Sequence, residues 1–311
     1  MNSQKEEFLK IFDSIEFDRI KDHPNILIAA RFWSHERYCA AKIFYRFMRK
    51  IDDMIDDYKA SHKTIAENER DGFISKVNES LNIIIRSEEC NPLQQEIIHT
   101  IEKFSMPLWP LEDFARSMLY DINNDGFPTL DSFIRYSGGA SVAPASVFVH
   151  LNGLSNQNGK YEPPVFDVRE AATPCALFSY LVHIIRDFQK DQLNNLNYFA
   201  DDMLEKFRLS RFDLKEIAYG HPVPDNFRRM IKEYYLLADN YRIKTYEMLD
   251  KILPLHTPRY QLSLMIIFNL YLMVFERIDV EKGDFRSTSL NPTPEETRQR
   301  VYETIVHFAS R

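Results

Sequence analysis

The sequence predicts an all-α protein. Apolar residues recur at three- and four-residue steps along most of the chain, the spacing of one helix face. No segment alternates apolar and polar residues as a strand would, and only 8 of 311 residues are glycine. A hydrophobic content of 44% is enough for one large core. We therefore expect a single domain over residues 1–311, with its core at about 23–283 and a C-terminal tail at 284–311.

Helical periodicity and turn signals divide this domain into elements. The predicted helices cover residues 34–58, 71–87, 93–104, 111–122, 130–151, 166–193, 227–253, 258–278 and 294–310. Ser34 is the expected N-cap of the first long helix. The small residues at 137–141 should kink the helix that contains them, and Pro174 should kink another. Residues 152–164 are predicted to form a surface loop, and 286–294 a linker.

Composition excludes several classes of protein. The chain lacks both the G-x-G-x-x-G and the G-x-x-x-x-G-K-[ST] phosphate-binding loops. A net charge of −7 disfavours nucleic acid as a partner, and it also disfavours tight adhesion to anionic membranes. Cys39, Cys90 and Cys175 are widely spaced, which is typical of free thiols in a reducing compartment. The first residues lack the apolar core of a signal peptide, so we expect a cytoplasmic protein.

Two short segments carry paired aspartates beside an arginine. Asp52 and Asp56 follow Arg49, while Asp187 and Asp191 follow Arg186. A spacing of four residues places both carboxylates of a pair on one helix face. Since each pair follows an apolar run, buried carboxylates would need a compensating cation. Mg²⁺ prefers oxygen ligands and is usually completed by substrate phosphates, so the two pairs predict a diphosphate-binding site between helices.

Neighbouring residues leave some assignments open. Asp53 and Asp57 lie on a second face, rotated by about 100° from the first, and are expected to be surface charges. His183 lies four residues before Asp187, on the same stripe. It could be a metal ligand, which would suit Mn²⁺ or Fe²⁺ better than Mg²⁺, or it could only donate a hydrogen bond to the carboxylate. The 23 Phe and 16 Tyr either fill the core or line an apolar cavity whose aromatic faces stabilise a carbocation.

The two aspartate segments resemble the motifs of a known family. The sequence YRFMRKIDDMID at residues 45–56 resembles the first aspartate motif of squalene and phytoene synthases. The sequence LVHIIRDFQKD at residues 181–191 resembles their second motif, and the likeness extends from about residue 26 to 283. It is closest to bacterial dehydrosqualene synthases.

This resemblance implies an isoprenoid-synthase helical bundle around a central cavity. It implies a Mg²⁺-dependent transferase that joins two prenyl diphosphates, farnesyl or geranylgeranyl, head to head into a squalene- or phytoene-type product. Mn²⁺ is a possible substitute metal, and the use of NADPH stays open. The residues that the resemblance assigns to Mg²⁺ are Asp52, Asp56, His183, Asp187 and Asp191. Those that it assigns to the substrates are Tyr45, Arg49, Tyr136, Arg186 and Tyr198.

The chain also departs from the family pattern. His183 stands where the family usually has a metal-binding asparagine, and residues 194–200 lack the usual arginine. Residues 141–144 replace an Ala-Gly kink, and a serine-rich diphosphate contact falls on residues 25–27. These changes leave the product open. They also leave two alternatives: a non-catalytic relative that binds prenyl chains or a protein partner, and an oxidase that uses His183. Peripheral membrane contact is expected where a lipid product is released.

Overall fold

The computed structural model describes residues 2–22, 25–86 and 91–309. Its α-helices are α1 (Asn2–Asp13), α2 (Asn25–Ala30), α3 (His35–His62), α4 (Glu67–Arg86), α5 (Pro92–Phe104), α6 (Trp109–Asn123), α7 (Leu130–Ser137), α8 (Ala143–Gly153), α9 (Val168–Arg186), α10 (Phe188–Leu193), α11 (Asp201–Lys206), α12 (Arg211–Ala218), α13 (Asp225–Ile252), α14 (Pro258–Phe275), α15 (Ser287–Leu290) and α16 (Pro294–Ala309). Short 3₁₀ helices cover Phe17–Asp22 and Leu253–Leu255, and two strands form β1 (Ser155–Gln157) and β2 (Lys160–Glu162). The all-α prediction is confirmed.

Helix α3 carries the first aspartate motif along one wall of the bundle. Its buried face includes Phe44, Phe47, Met48, Ile51 and Ile55, at the three- and four-residue steps read from the sequence. Burying each large side chain contributes about 1.5–3 kcal/mol, so this face fixes the rotation of the helix. The helix begins after its predicted N-cap, although that serine hydroxyl makes no capping hydrogen bond.

Helices α9 and α13 pack along each other at the centre of the bundle. Phe178, Leu181 and Ile185 of α9 share a buried cluster with Met230 and Tyr234 of α13. Helix α9 continues through Pro174 as one element. Because its apolar side chains fill the core, the motif at its C-terminal end is held in a fixed position.

The predicted kink at residues 137–141 is confirmed as a π-helical turn over Gly138–Val142, between α7 and α8. The surroundings of Gly139 show why this turn requires a small residue. A β-carbon on Gly139 would lie 2.1 Å from the carbonyl oxygen of Asp113, which belongs to α6. The turn thus lets α6 approach closely and directs Ala140 and Ser141 toward the interior.

The sequence predicted one continuous helix for the second aspartate motif, and this prediction is wrong. The helix predicted over 166–193 divides into α9 and α10 at Asp187, whose φ is −93° and ψ is 6°. The amide of Asp191 still donates to the carbonyl of Asp187, at 2.8 Å. The break therefore ends α9 at the first aspartate of the motif, while the second stays one turn away along the backbone.

Three further segments differ from expectation. The predicted loop at 152–164 contains an antiparallel hairpin, turned by Asn158 and Gly159, which both have positive φ. The predicted linker at 286–294 includes the short helix α15. The C-terminal segment is part of the core rather than a tail, because Val301 and Ile305 of α16 are fully buried and α16 packs on α1 and α14.

Cys39 and Cys175 are free thiols, and Cys90 lies outside the described residues. Within the described part of the chain, none of the helices combines the length and the hydrophobicity that a membrane span requires.

Candidate active site

A cavity of about 500 Å³ lies between α3, α8, α9, α13 and α14. Its volume is in the range of small-molecule sites, roughly 300–1,000 Å³. Nine of the ten predicted site residues line it: Tyr45, Arg49, Asp52, Asp56, Tyr136, His183, Asp187, Asp191 and Tyr198. Two motifs more than 130 residues apart in sequence are thereby brought to one site.

The cavity is apolar at one end and acidic at the other. Along α3, the lining residues change from Ala41 and Phe44 to Asp52 and Asp56. At 1.5 Å per residue, the distance along the helix from the first to the last of these is roughly 22 Å. Along α9 and α10 the lining changes in the same direction, from small apolar residues at 171–172 to the second aspartate pair. The cavity therefore suits a long apolar ligand with an anionic or metal-bound head.

Arg49 organises the first motif. Its Nη1 lies 3.0 Å from Oδ2 of Asp52, as its position three residues earlier predicted. Its Nη2 lies 2.6 Å from Oδ1 of Asp53, so Asp53 is not the independent surface charge expected from the sequence. Asp57 is exposed as expected, although both Asp53 and Asp57 contribute to the cavity wall.

Burial shifts the carboxylates of the acidic end toward their neutral forms. Burial raises the pKa of Asp52 to about 6, despite the opposing effect of Arg49. The pKa of Asp56 rises to about 8, because of burial first and then the nearby charges of Asp52 and Asp121. Burial, with Asp187 and then Asp56, also raises the pKa of Asp191 well above its usual range. The nearby cations, Arg49, Lys59 and Lys190 among them, therefore do not offset the cost of burying these carboxylates in charged form.

Asp187, in contrast, is kept in its ionised form, because two neighbouring side chains bind its carboxylate. Arg186 donates from Nε to Oδ1 and from Nη2 to Oδ2, at 2.8 and 2.7 Å. Nε2 of His183 lies 3.0 Å from Oδ2 of the same carboxylate. Burial would raise the pKa of Asp187, but His183 and Arg186 hold it well below its usual range. This carboxylate is therefore ionised and fixed in place.

The contacts of Arg186 differ from those expected. Its guanidinium is turned to Asp187 and His183, and it is the one predicted site residue that is absent from the cavity wall. Contact between Arg186 and a diphosphate stays a prediction, whereas its observed contact is the positioning of Asp187.

His183 makes two hydrogen bonds within the protein. Its Nδ1 lies 3.0 Å from Nη2 of Arg186, which can only donate, so Nδ1 accepts and Nε2–H donates to Asp187. Burial lowers the pKa of His183 to about 4, which keeps the ring neutral. Both nitrogens are engaged, and this arrangement favours the hydrogen-bonding interpretation over the metal-ligand one.

The acidic end nevertheless fits a divalent cation that keeps part of its water shell. Within residues 2–22, 25–86 and 91–309, no three His, Cys, Asp or Glu side chains converge into a metal site by themselves. Oδ2 of Asp191 is buried without a hydrogen-bond partner. Mg²⁺ typically takes one or two carboxylates and completes its octahedron with water and substrate phosphate. Asp52, Asp56 and Asp191 could supply those carboxylates, and Asp187 could supply one more.

Sequence reasoning missed a third source of negative charge. Asp121, on α6, accepts a hydrogen bond from the hydroxyl of Tyr136. Burial raises the pKa of Asp121 to about 6, although Lys59 and Tyr136 oppose the shift. Asp121 and Asp125 repeat the four-residue spacing of the two motifs, but no arginine lies within three residues before Asp121 and a turn follows it, so the pair was not singled out. Lys59 could have been found, since it lies one helical turn after Asp56 on the same face.

Three tyrosines in mutual contact, with tilted and edge-to-face rings, form a wall of the cavity. The ring of Tyr180 lies 6.5 Å from that of Tyr136 and 6.2 Å from that of Tyr198, between centroids. Burial raises the pKa of all three phenols well above the ordinary value, so they are neutral. Tyr180 was not among the predicted residues, although it lies one helical turn before His183.

A family model described as squalene/phytoene synthase matches residues 21–300. The chain belongs to the squalene/phytoene synthase family. The match covers all the predicted site residues. The recognition made from the two aspartate motifs is thus confirmed.

Two plant members of the family show how distant the relationship is. Phytoene synthase 3, chloroplastic, of Zea mays is 22% identical over 60% of this chain, and the match covers 42% of that protein. Phytoene synthase, chloroplastic, of Narcissus pseudonarcissus is 20% identical over 63% of this chain and 44% of its own length. The chain thus matches less than half the length of these curated relatives.

Solved structures show that the fold is shared across nearly the whole chain. A dehydrosqualene synthase in complex with ligand superposes with a TM-score of 0.70 at 15% identity, over 98% of this chain and 99% of that one. Squalene synthase HpnC from Alicyclobacillus acidocaldarius gives a TM-score of 0.62 at 16% identity, over 84% and 90%. At these identities the likeness establishes the fold alone.

Proposed function

We propose that this protein joins two prenyl diphosphates, farnesyl or geranylgeranyl, head to head in a Mg²⁺-dependent reaction that gives a squalene- or phytoene-type product. One observation carries the proposal: two aspartate motifs from distant parts of the chain line one end of a cavity whose other end is apolar. An allylic diphosphate has the same division, with an anionic head and a long apolar chain.

The acidic end would bind the diphosphate heads. Asp52, Asp56, Asp187 and Asp191 would hold Mg²⁺, which supplies Lewis-acid neutralisation of the leaving diphosphate when bound. Arg49 is half-exposed at the cavity wall and could donate to phosphate oxygens through its planar guanidinium. Arg186 and His183 would act behind them by fixing the Asp187 carboxylate. These residues together orient the head group against the wall of tyrosines.

The tyrosine wall and the apolar end would protect the cation formed on ionisation. The cavity is lined by Tyr45, Tyr136, Tyr180 and Tyr198, and the face of an aromatic ring attracts cations through its quadrupole. Neutral phenols add no competing charge. The residues beyond them are mostly apolar, and the hydroxyls of Ser141, Ser179 and Thr245 already donate to backbone carbonyls. This lining disfavours water, which would otherwise capture the cation.

The test is incubation with farnesyl or geranylgeranyl diphosphate and Mg²⁺, followed by mass identification of the lipid extract, with and without NADPH. Asp52→Asn should abolish product while helix content by circular dichroism is kept. Asp250→Asn, an exposed aspartate on α13, is the control and should keep full turnover. Normal turnover in Asp52→Asn would remove the first motif from the mechanism.

Sedimentation with phospholipid vesicles before and after turnover tests the predicted membrane contact.

A second candidate is a non-catalytic prenyl-binding protein. The observation that favours it is the closed contact of His183 and Arg186 on Asp187, which engages one of the four aspartates with protein groups. In that case calorimetry in the presence of Mg²⁺ would detect the binding of prenyl diphosphates, but the lipid extract would contain no product. The oxidase alternative would require His183 on a metal, and both of its ring nitrogens are already engaged.

A further inference from the structure

A second, smaller pocket lies behind the acidic end of the cavity. We call it the basic pocket; its volume is about 250 Å³. Its lining residues are Lys63, Thr64, Asp125, Gln192, Asn195, Asn197, Arg211 and Lys215. Five of them lie directly after the two aspartate motifs, in the segment that follows α3 or at the end of α10. The other three are Asp125, which follows α6, and Arg211 and Lys215, which belong to α12.

Only a thin wall separates the basic pocket from the acidic cavity. Nδ2 of Asn195 donates to the carbonyl oxygen of Ala60, at 3.2 Å, and so joins the ends of the two motif helices. Ala60 and Asn194 line the acidic cavity, while Asn195 lines the basic pocket. A small group that leaves the metal-binding carboxylates therefore has a polar site within one residue of the cavity wall.

The basic pocket carries surplus positive charge in a protein whose net charge is −7. Three cationic side chains line it against one carboxylate. Arg211 is engaged by Asp201, at 2.8 Å, but the ammonium of Lys215 donates to the neutral amide oxygen of Asn195, at 2.6 Å. Within the described residues, neither Lys63 nor Lys215 forms an ion pair with a carboxylate.

The backbone around this pocket is held in an unusual conformation. Lys63 has a φ of 70° and Asn195 a φ of 59°, in the left-handed region that side chains rarely adopt. Such conformations cost of order 1–3 kcal/mol and concentrate at ligand clamps and active sites. Here both positions lie where a motif helix ends, and both place a polar side chain at the pocket.

We propose that the basic pocket binds inorganic diphosphate as it leaves the acidic cavity. Ammonium groups and side-chain amides are donors suited to phosphate-class oxygens. The volume is below the roughly 300 Å³ at which drug-sized sites begin, which favours a small oxyanion over a whole nucleotide. The proposal rests on the proposed function for the source of the ligand, because each coupled substrate releases one diphosphate.

Binding can be measured without any turnover. Isothermal titration calorimetry of the full chain with inorganic diphosphate is run in a chelator, so that a metal-bridged site cannot contribute. Lys215→Gln removes the charge and keeps an amide donor on a side chain one atom shorter, and it should weaken binding about tenfold or more. Lys63→Gln, at an exposed position, should weaken it in the same direction. Lys251→Gln is the matched control, because this exposed lysine adjoins Ile252 at the apolar end of the cavity.

Several outcomes would overturn the proposal. The first is that the wild type shows no heat of binding at millimolar diphosphate. The second is that the Lys63→Gln/Lys215→Gln double variant binds diphosphate with unchanged affinity. Tighter binding of NADPH than of diphosphate, lost in the same variants, would overturn the assignment to inorganic diphosphate. If Lys215→Gln does not fold, Lys63→Gln alone decides. The Asp52→Asn variant should bind diphosphate normally in chelator, so failure of the prenyl-coupling function and failure of the pocket appear in separate experiments.

Discussion

Replacing Asp56 and Asp187 by asparagine should change the stability of the metal-free protein in opposite directions. The two carboxylates belong to equivalent motifs, but their surroundings differ. Asp56 is partly buried beside other carboxylates, and its pKa rises to about 8. Asp187 is buried against Arg186 and His183, and its pKa falls well below the usual range. We expect Asp56→Asn to stabilise the fold and Asp187→Asn to destabilise it.

The size of the Asp56 effect follows from linkage. The folded protein keeps Asp56 protonated up to a pKa of about 8, while the unfolded chain loses the proton near 3.8. Wild-type stability therefore falls as pH rises between these values, by at most about 1.4 kcal/mol per pH unit. At pH 7 the penalty has an upper bound of about 4 kcal/mol, and relaxation with water entry reduces it to about 1–3 kcal/mol. Asparagine removes this penalty.

For Asp187 the sign is reversed. A lowered folded-state pKa contributes stability that is fully present above the unfolded pKa and is lost only in acid. Between pH 6 and 8 its contribution is constant. Asparagine leaves Arg186 without its buried counterion, and breaking a buried pair costs about 3–5 kcal/mol.

The assay is urea unfolding in chelator at pH 5, 6, 7 and 8, with Asp250→Asn as the exposed control. The gain in unfolding free energy of Asp56→Asn over wild type should widen with pH up to about 8, and the loss in Asp187→Asn should stay level. A loss of stability in Asp56→Asn at pH 8, or a gain that does not change with pH, would refute the description of the acidic end as a cluster whose cations do not offset the burial of its carboxylates.

Three further predictions test the site. Diphosphate with Mg²⁺ should raise the melting temperature by more than the sum of the increases that each causes alone, since metal and anion complete one site. An equal increase with diphosphate and a chelator would contradict a metal-bridged head group. His183→Asn and His183→Phe should lower stability and leave the Mn²⁺/Mg²⁺ activity ratio at the wild-type value, because both ring nitrogens bind protein groups; a changed ratio in His183→Asn would return His183 to the metal site. Tyr136→Phe should lower turnover about tenfold by removing the hydrogen bond to Asp121, with Tyr302→Phe, at an exposed position of α16, as the control; unchanged turnover would leave Asp121 without a role.

The sequence alone determined the fold class, the family and the two aspartate motifs. These features are local: a helix face repeats every three to four residues, and a motif is a spacing along one element. The apolar steps of α3 therefore indicated both the buried face and the side on which Arg49 contacts Asp52. The small residues at 137–141 indicated a break in the helix for the same reason. A run of small side chains can be read from the sequence even when the helix that packs against it, here α6, is not known.

Only the tertiary structure decided how residues from different elements share the site. Asp121 contributes to the acidic end because α6 packs close to the turn at Gly139, and no spacing in the sequence records that approach. Arg186 binds Asp187 rather than facing the cavity, since the break between α9 and α10 places that carboxylate within its reach. Which carboxylates are neutral and which are ionised depends on burial and on charges brought together from distant helices. These are properties of the packed bundle, and they appear only once the chain has folded.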